Sequence, residues 1–216
     1  MLTEAHRAAL EAAWAPARAA GVLGSATVNE LWEHTAGFTS AVCSHFSAEA
    51  DDLAIQLIDV GTGAGIPGLL LAAQLPKAHI TLVDANERRL DHVRRGRRAL
   101  SLDDRCTVLH ARAEDLGRDP TYRCMFDAAV ARLLADPADS LELLTPLVRD
   151  GGTLVLSAAA QSRPLWSRLP VAPLPLGPAE LEGSAGLFVR IPRRGAVPPH
   201  LPRREKVRRR QPLLHP

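Results

Sequence analysis

Apolar and polar positions along this chain follow two rhythms in turn. Residues 2–20 place Leu2, Ala9, Leu10, Ala13, Trp14 and Ala17 near helical spacing, which predicts an amphipathic helix. A second helix is expected over 28–46, with Gly37 as the point where it would break. The acidic "EADD" closes this helical preface, assigned to residues 1–52. Short apolar runs then take over. "AIQLIDV" (54–60) predicts a strand buried on both faces, and "IPGLLLAAQL" the helix that follows, with Pro67 in its first turn. "HITLVD" (79–84), "CTVLHARA" (106–113) and "FDAAVAR" (126–132) predict three further strands, with a charged helix over 86–100. A helix over 138–148, a turn at Gly151-Gly152 and a strand "TLVLSA" (153–158) continue the alternation.

The stretch 163–178 carries five prolines, so it predicts a short helical turn and an edge strand over 171–176. "GLFVRIP" (186–192) reads as a last, antiparallel strand. Strands alternating with helices predict a doubly wound α/β sheet, assigned to residues 53–192.

Composition changes this picture little. The 46% apolar and 23% charged content is ordinary for a globular chain. No apolar run reaches the roughly 20 residues that span a bilayer. The first residues are acidic and broken by Arg7 and Arg18, unlike a signal peptide, so cytoplasmic residence without a membrane partner is expected. Cys43, Cys106 and Cys124 are scattered and read as incidental thiols. The eight histidines form no ligand motif, so no metal is expected. A monomer is the default.

Charge distribution says more than the net value of +2. From 190 to 210 the chain reads "RIPRRGAVPPHLPRREKVRRR", with Glu205 the only acid. Residues 193–216 therefore read as a basic tail, serving either a polyanion such as RNA or solubility alone. The candidate contacts are Arg203, Arg204, Lys206, Arg208, Arg209 and Arg210. Deleting 203–216 is then expected to weaken RNA association and to spare the cofactor.

"DVGTGAGIPG" (59–68) is the richest chemical signal. It contains G-x-G-x-x-G after a strand, which suits an anion and, taken alone, a dinucleotide. Asp59, at the end of the strand, would face a pyrophosphate with like charge. A carboxylate there suits the sulfonium and ammonium of S-adenosylmethionine instead. Gly61, Gly63 and Gly65 would let the backbone approach that ligand closely. Asp84, closing the second strand, is placed to bind ribose hydroxyls or to cap the next helix. Ala113 and Glu114 lie at the same rim and could meet adenine. Arg132 closes the fourth strand, within reach of cofactor or substrate base.

These residues together resemble the bacterial small-subunit ribosomal RNA guanine-N7 methyltransferases, the family of glucose-inhibited division protein B. The resemblance rests on "DVGTGAGIPG", "TLVDANERR", "ARAED", "FDAAVARLLA" and the arginine- and proline-containing end "PPHLPRREKVRRRQPL". It implies a seven-stranded Rossmann-like class I methyltransferase sheet with a helical amino-terminal cap. It implies cofactor contacts at Gly61, Ile66, Ala113, Glu114 and Arg132, and RNA of the small ribosomal subunit as substrate. Three positions depart from the family pattern. Arg88-Arg89 stands for a Lys-Arg pair, "LSAAA" lacks a lysine-glycine pair, and Gly37 stands where an acid follows His34. Arg88 and Arg89 are expected to meet phosphate or structural carboxylates.

Guanine N7 carries a lone pair and no proton at neutral pH, so no general base is required. Alignment and proximity suffice, and Arg132 is expected to position rather than to move a proton. A small-molecule methyltransferase and a non-catalytic nucleoside- or RNA-binding relative remain the alternatives. Trp14, Trp32 and Trp166 are assigned to packing.

Overall fold

The computed structural model describes residues 2–169, 171–183 and 187–214. Two helices open the chain, α1 (Glu4–Ala19) and α2 (Val28–Phe46). Thr27 and Glu30 form a reciprocal capping box that starts α2. This helix runs unbroken through Gly37, because that position is a contact rather than a hinge. A Cβ at Gly37 would collide with the Phe188 ring, so glycine lets α2 lie directly on the sheet.

The sheet core follows as β1 (Gln56–Val60), α3 (Gly68–Gln74), β2 (His79–Asp84), α4 (Glu87–Ala99), β3 (Cys106–His110) and α5 (Ala113–Leu116). Then come β4 (Phe126–Arg132), α6 (Pro137–Leu144), β5 (Val148–Ala158), α7 (Arg163–Arg168), β6 (Glu180–Glu182) and β7 (Leu187–Pro192). A last helix, α8 (Glu205–Arg210), lies beyond the sheet in sequence.

Seven strands form one sheet in the order β3-β2-β1-β4-β5-β7-β6. The first five are parallel, and β7 runs antiparallel to both β5 and β6. Leu57 and Ile58 are both fully buried yet belong to separate cores on opposite faces. That is why β1 reads as a continuous apolar run rather than an alternating one. Leu10, Trp14, Phe38 and Leu69 fill one core, and Leu141, Leu144, Trp166 and Leu201 fill the other. Packing is thus the role of Trp14 and Trp166, as the sequence suggests.

Four expectations need correction. The edge strand is β6, not 171–176, which contributes a single bridge from Leu176 to Arg193. Pro173 and Pro175 supply no N–H to a ladder, and the pairing moves to the proline-free "ELE". Strand β3 stops at His110, and Ala113 instead opens α5. Helix α6 ends at Leu144 in a 3-10 turn, and β5 begins at Val148. Gly151, at φ +78°, kinks β5 within its length, beside a register shift between Phe126 and Ala128.

The largest departure concerns residues 193–216, expected as a basic tail serving either a polyanion or solubility. Residues 197–214 are docked on the second core. Leu201 and Leu214 are 1% exposed. Arg123 donates to the carbonyls of Val197, Pro198 and Leu201, and Arg118 to that of Pro202. No helix among the described residues is long and apolar enough to cross a membrane.

Candidate active site

The carboxyl ends of β1, β2, β3 and β4 surround two adjoining cavities, of about 310 and 380 Å³. Gly61, Arg89 and Leu133 line both, so the two share a seam. This is the crevice where open α/β sheets bind ligands.

Residues 61–67 form the loop between β1 and α3. Gly61, Gly63 and Gly65 hold φ of +73°, +59° and +98°, a region that side chains rarely adopt. Their roles differ. Gly61 lines both cavities, Gly63 lines the second with Ile66, and Gly65 is packed beneath the loop against Leu69.

Asp59 sits behind this loop, fully buried, and lines neither cavity. The expectation that its charge faces the ligand directly is therefore corrected. Its Oδ2 accepts from Thr62 Oγ1 at 2.6 Å and from Gly68 N at 2.9 Å, which clamps both ends of the loop. Its Oδ1 is buried without a hydrogen-bond partner among the described residues. Burial raises its pKa to about 6, against the opposing donation from Thr62 and Gly68; Asp84 raises it further and Arg132 lowers it.

Asp84 lines the first cavity. Its Oδ2 accepts from Gly63 N at 3.0 Å and its Oδ1 from Asn86 N at 2.9 Å. Capping of α4 falls to Asn86, whose side chain accepts from Arg88 N. Ala113 and Glu114 line the same cavity. Arg89 stands 3.7 Å from Asp84 Oδ2, so it meets a structural carboxylate, one of the two fates read from the sequence.

Arg132 closes β4 and lines the second cavity. It makes no hydrogen bond or ion pair among the described residues, and burial pulls its pKa down despite Asp59 nearby. Burial and the Arg132 charge also lower the His34 pKa. Leu133, next in the chain, holds φ +54° and is 82% exposed at the shared mouth.

The basic residues divide. Arg88, Arg204, Lys206, Arg209 and Arg210 are exposed. Arg203 forms a bidentate pair with buried Glu142, at 2.9 and 2.6 Å, and Arg208 is itself buried. These two are corrected from RNA contacts to internal ion pairs, because their guanidiniums are already spent on carboxylates.

Three contributors escaped sequence reasoning. Thr62, inside the glycine motif, is one, through its hydroxyl's hydrogen bond to Asp59. Leu134 packs where a Cβ on Gly61 would fall. Trp14 donates Nε1–H to the Ala64 carbonyl at 3.0 Å, so α1 steadies the glycine loop from fifty residues away. Trp14→Phe should keep the packing and lose this bond, weakening cofactor affinity several-fold, or about 1 kcal/mol. Titration calorimetry reads this, and an unchanged affinity would leave Trp14 a packing residue only.

The sheet order and the loop at the β1 end define the Rossmann-like fold of class I methyltransferases. Among solved structures the chain is similar to ribosomal protein L11 methylase from Lactobacillus delbrueckii subsp. bulgaricus, at TM-score 0.51 and 17% identity over 73% of this chain and 78% of that one. It is also similar to a candidate S-adenosyl-L-methionine-dependent methyltransferase from Methanococcus maripaludis, at TM-score 0.56 and 14% identity over 78% and 89%. Those likenesses concern the fold. Residues 14–168 match the family described as rRNA small subunit methyltransferase G (GidB), and the chain belongs to that family. Relatives called ribosomal RNA small subunit methyltransferase G include one from Synechococcus sp. (strain RCC307), 38% identical over 74% of this chain and 71% of that protein. Another, from Dictyoglomus thermophilum, is 30% identical over 74% and 69%.

Proposed function

We propose that this protein transfers a methyl group from S-adenosylmethionine to N7 of a guanine in small-subunit ribosomal RNA. The observation that carries this reading is the guanidinium of Arg132, unpaired among the described residues, on the wall of the second cavity next to Leu133, which lines both. The residues fit the cofactor: a backbone loop with three left-handed glycines, two buried carboxylates and a rim ending in Glu114. Family membership supports the same assignment.

When bound, S-adenosylmethionine supplies an electrophilic methyl group. The chain's own residues hold the reactants in line. Gly61 and Gly63 allow close approach, Asp84 and Glu114 accept from hydroxyl or amino groups of the nucleoside portion, and Ile66 gives an apolar contact. Arg132 donates to the cofactor carboxylate or to guanine O6 on the edge that carries N7. Leu133 offers the base an exposed apolar face. The exposed Arg88, Arg204, Lys206, Arg209 and Arg210 are available to RNA phosphates.

Titration calorimetry should give heat with S-adenosylmethionine and none with NAD. Mapping N7-methylguanosine in small-subunit RNA from cells with and without this gene then tests the acceptor. Loss of one modified guanine is expected. An unchanged map beside a confirmed cofactor would favour a small-molecule acceptor.

A further inference from the structure

Helix α8 is not merely attached to the domain; it closes one side of the first cavity. Glu205, Arg208 and Arg209 line that cavity together with Asp84 and Glu114. At the centre is Arg208, 3% exposed. Its Nη2 donates to Glu114 Oε1 at 3.1 Å, its Nε to Asp139 Oδ1 at 3.2 Å, and its Nη1 to the Arg203 carbonyl at 2.7 Å. One guanidinium therefore ties α5, α6 and the carboxy-terminal segment together. A second link reinforces it, since Arg112 Nη2 donates to Glu205 Oε2 at 3.0 Å.

The consequence falls on Glu114. With Oε1 taken by Arg208, its Oε2 accepts no hydrogen bond from another described residue and stands 3.9 Å from Arg112 Nε. A carboxylate held by one oxygen on a cavity wall presents the other to a donor. An adenine amino group and a ribose hydroxyl are such donors.

We propose that residues 201–214 are a structural wall of the cofactor site, and that Arg208 is the positioning residue that fixes Glu114 for the adenosine portion of S-adenosylmethionine. This rests on the function proposed above. Although burial alone would raise the Glu114 pKa, the hydrogen bond from its own backbone amide and the Arg208 contact hold it below the ordinary value, so the acceptor stays ionised. Asp139 behaves oppositely, raised chiefly by burial against the lowering effect of the Arg208 charge. Cofactor binding and docking of α8 are then linked, because each orders the same carboxylate.

S-adenosylhomocysteine is the probe. In the wild-type protein it should slow amide hydrogen exchange across residues 203–210 as well as in the glycine loop. Arg208→Met should weaken its binding about tenfold, the scale of one charge-assisted hydrogen bond, and Arg208→Lys should restore part of the loss. In turnover, the loss in kcat/KM should be carried by the KM for S-adenosylmethionine. Glu114→Gln combined with Arg208→Met should cost little more than either change alone. Slowed exchange in the glycine loop with none at 203–210 would overturn the proposal, even if Arg208→Met fails to fold. So would a folded Arg208→Met protein with wild-type affinity. Failure of the wild-type protein to bind S-adenosylhomocysteine would instead overturn the functional reading beneath it.

Discussion

Replacing Gly63 with valine should abolish binding of S-adenosylmethionine while leaving a folded protein. Two effects act together. At φ +59° a β-branched residue is strained by about 1–3 kcal/mol. A Cβ there meets nothing within 4 Å, so the side chain projects into open space at a position that lines the second cavity. The strain is local, but the blockage falls where the ligand must approach. Affinity should drop by at least about 100-fold, or nearly 3 kcal/mol, with a modest fall in melting temperature. Titration calorimetry beside thermal unfolding checks both, and a loss below about tenfold would remove Gly63 from the binding surface. The same substitution at Gly65 would be less informative, because its Cβ would strike the Leu69 side chain and disturb the core.

Asp59→Asn should remove a pH dependence that the wild-type protein shows near pH 6. Burial lifts the folded-state pKa from 3.8 to about 6, so the native state takes up this proton before the unfolded chain does. Between those values the native state binds more protons, and stability falls as pH rises through this window, then levels off above about 6. The whole effect is of order 3 kcal/mol. Ligand binding has the opposite sign. A sulfonium and an ammonium favour the ionised carboxylate, so cofactor affinity should decline as pH falls below about 6, with proton release on binding there. In Asp59→Asn both slopes should vanish, and affinity at neutral pH should fall about tenfold from lost attraction across the loop. Calorimetry in buffers of different ionisation enthalpy counts the protons. A wild-type proton count of zero below pH 6 would show that Asp59 is only a brace.

The parts legible in the sequence were those whose cause is local. Strands β1, β2 and β4 are apolar runs because both faces are covered, and a run of that kind needs no partner to be recognised. The loop at 61–67 is legible because left-handed backbone selects glycine. Asp84 and Arg132 follow, since each ends a strand at the same rim. What escaped depends on contacts distant in sequence. Trp14 reaches Ala64 only once α1 is folded against α4 and the loop. Asp59 looked like a ligand contact because its charge was legible and its orientation was not; in the structure Thr62 and Gly68 claim it. The basic end misled for a similar reason. Its arginines read as candidate RNA contacts until Glu114, Asp139 and Glu142, far away in sequence, are placed beside Arg203 and Arg208. That docking also removes the basis for expecting a deletion of 203–216 to spare the cofactor.

The departures from the family pattern take on physical meaning here. Gly37 is required by the Phe188 ring on which α2 rests, so any side chain at this position, an acid included, would collide with that ring. Arg88 stays exposed beside the site, while Arg89 turns to Asp84. The "LSAAA" segment lies closest to the site, since its Ser157 is the register partner of Arg132 across β4 and β5.

The central claim is that the two cavities join a methyl donor to a guanine of small-subunit ribosomal RNA. Incubating the purified protein with S-adenosylmethionine labelled in its methyl group and with small-subunit RNA, naked or assembled, tests it most directly. The account predicts label at a single guanine, released as N7-methylguanosine on digestion. Label at any other base atom, or full cofactor binding with no transfer to either form of the RNA, would contradict it.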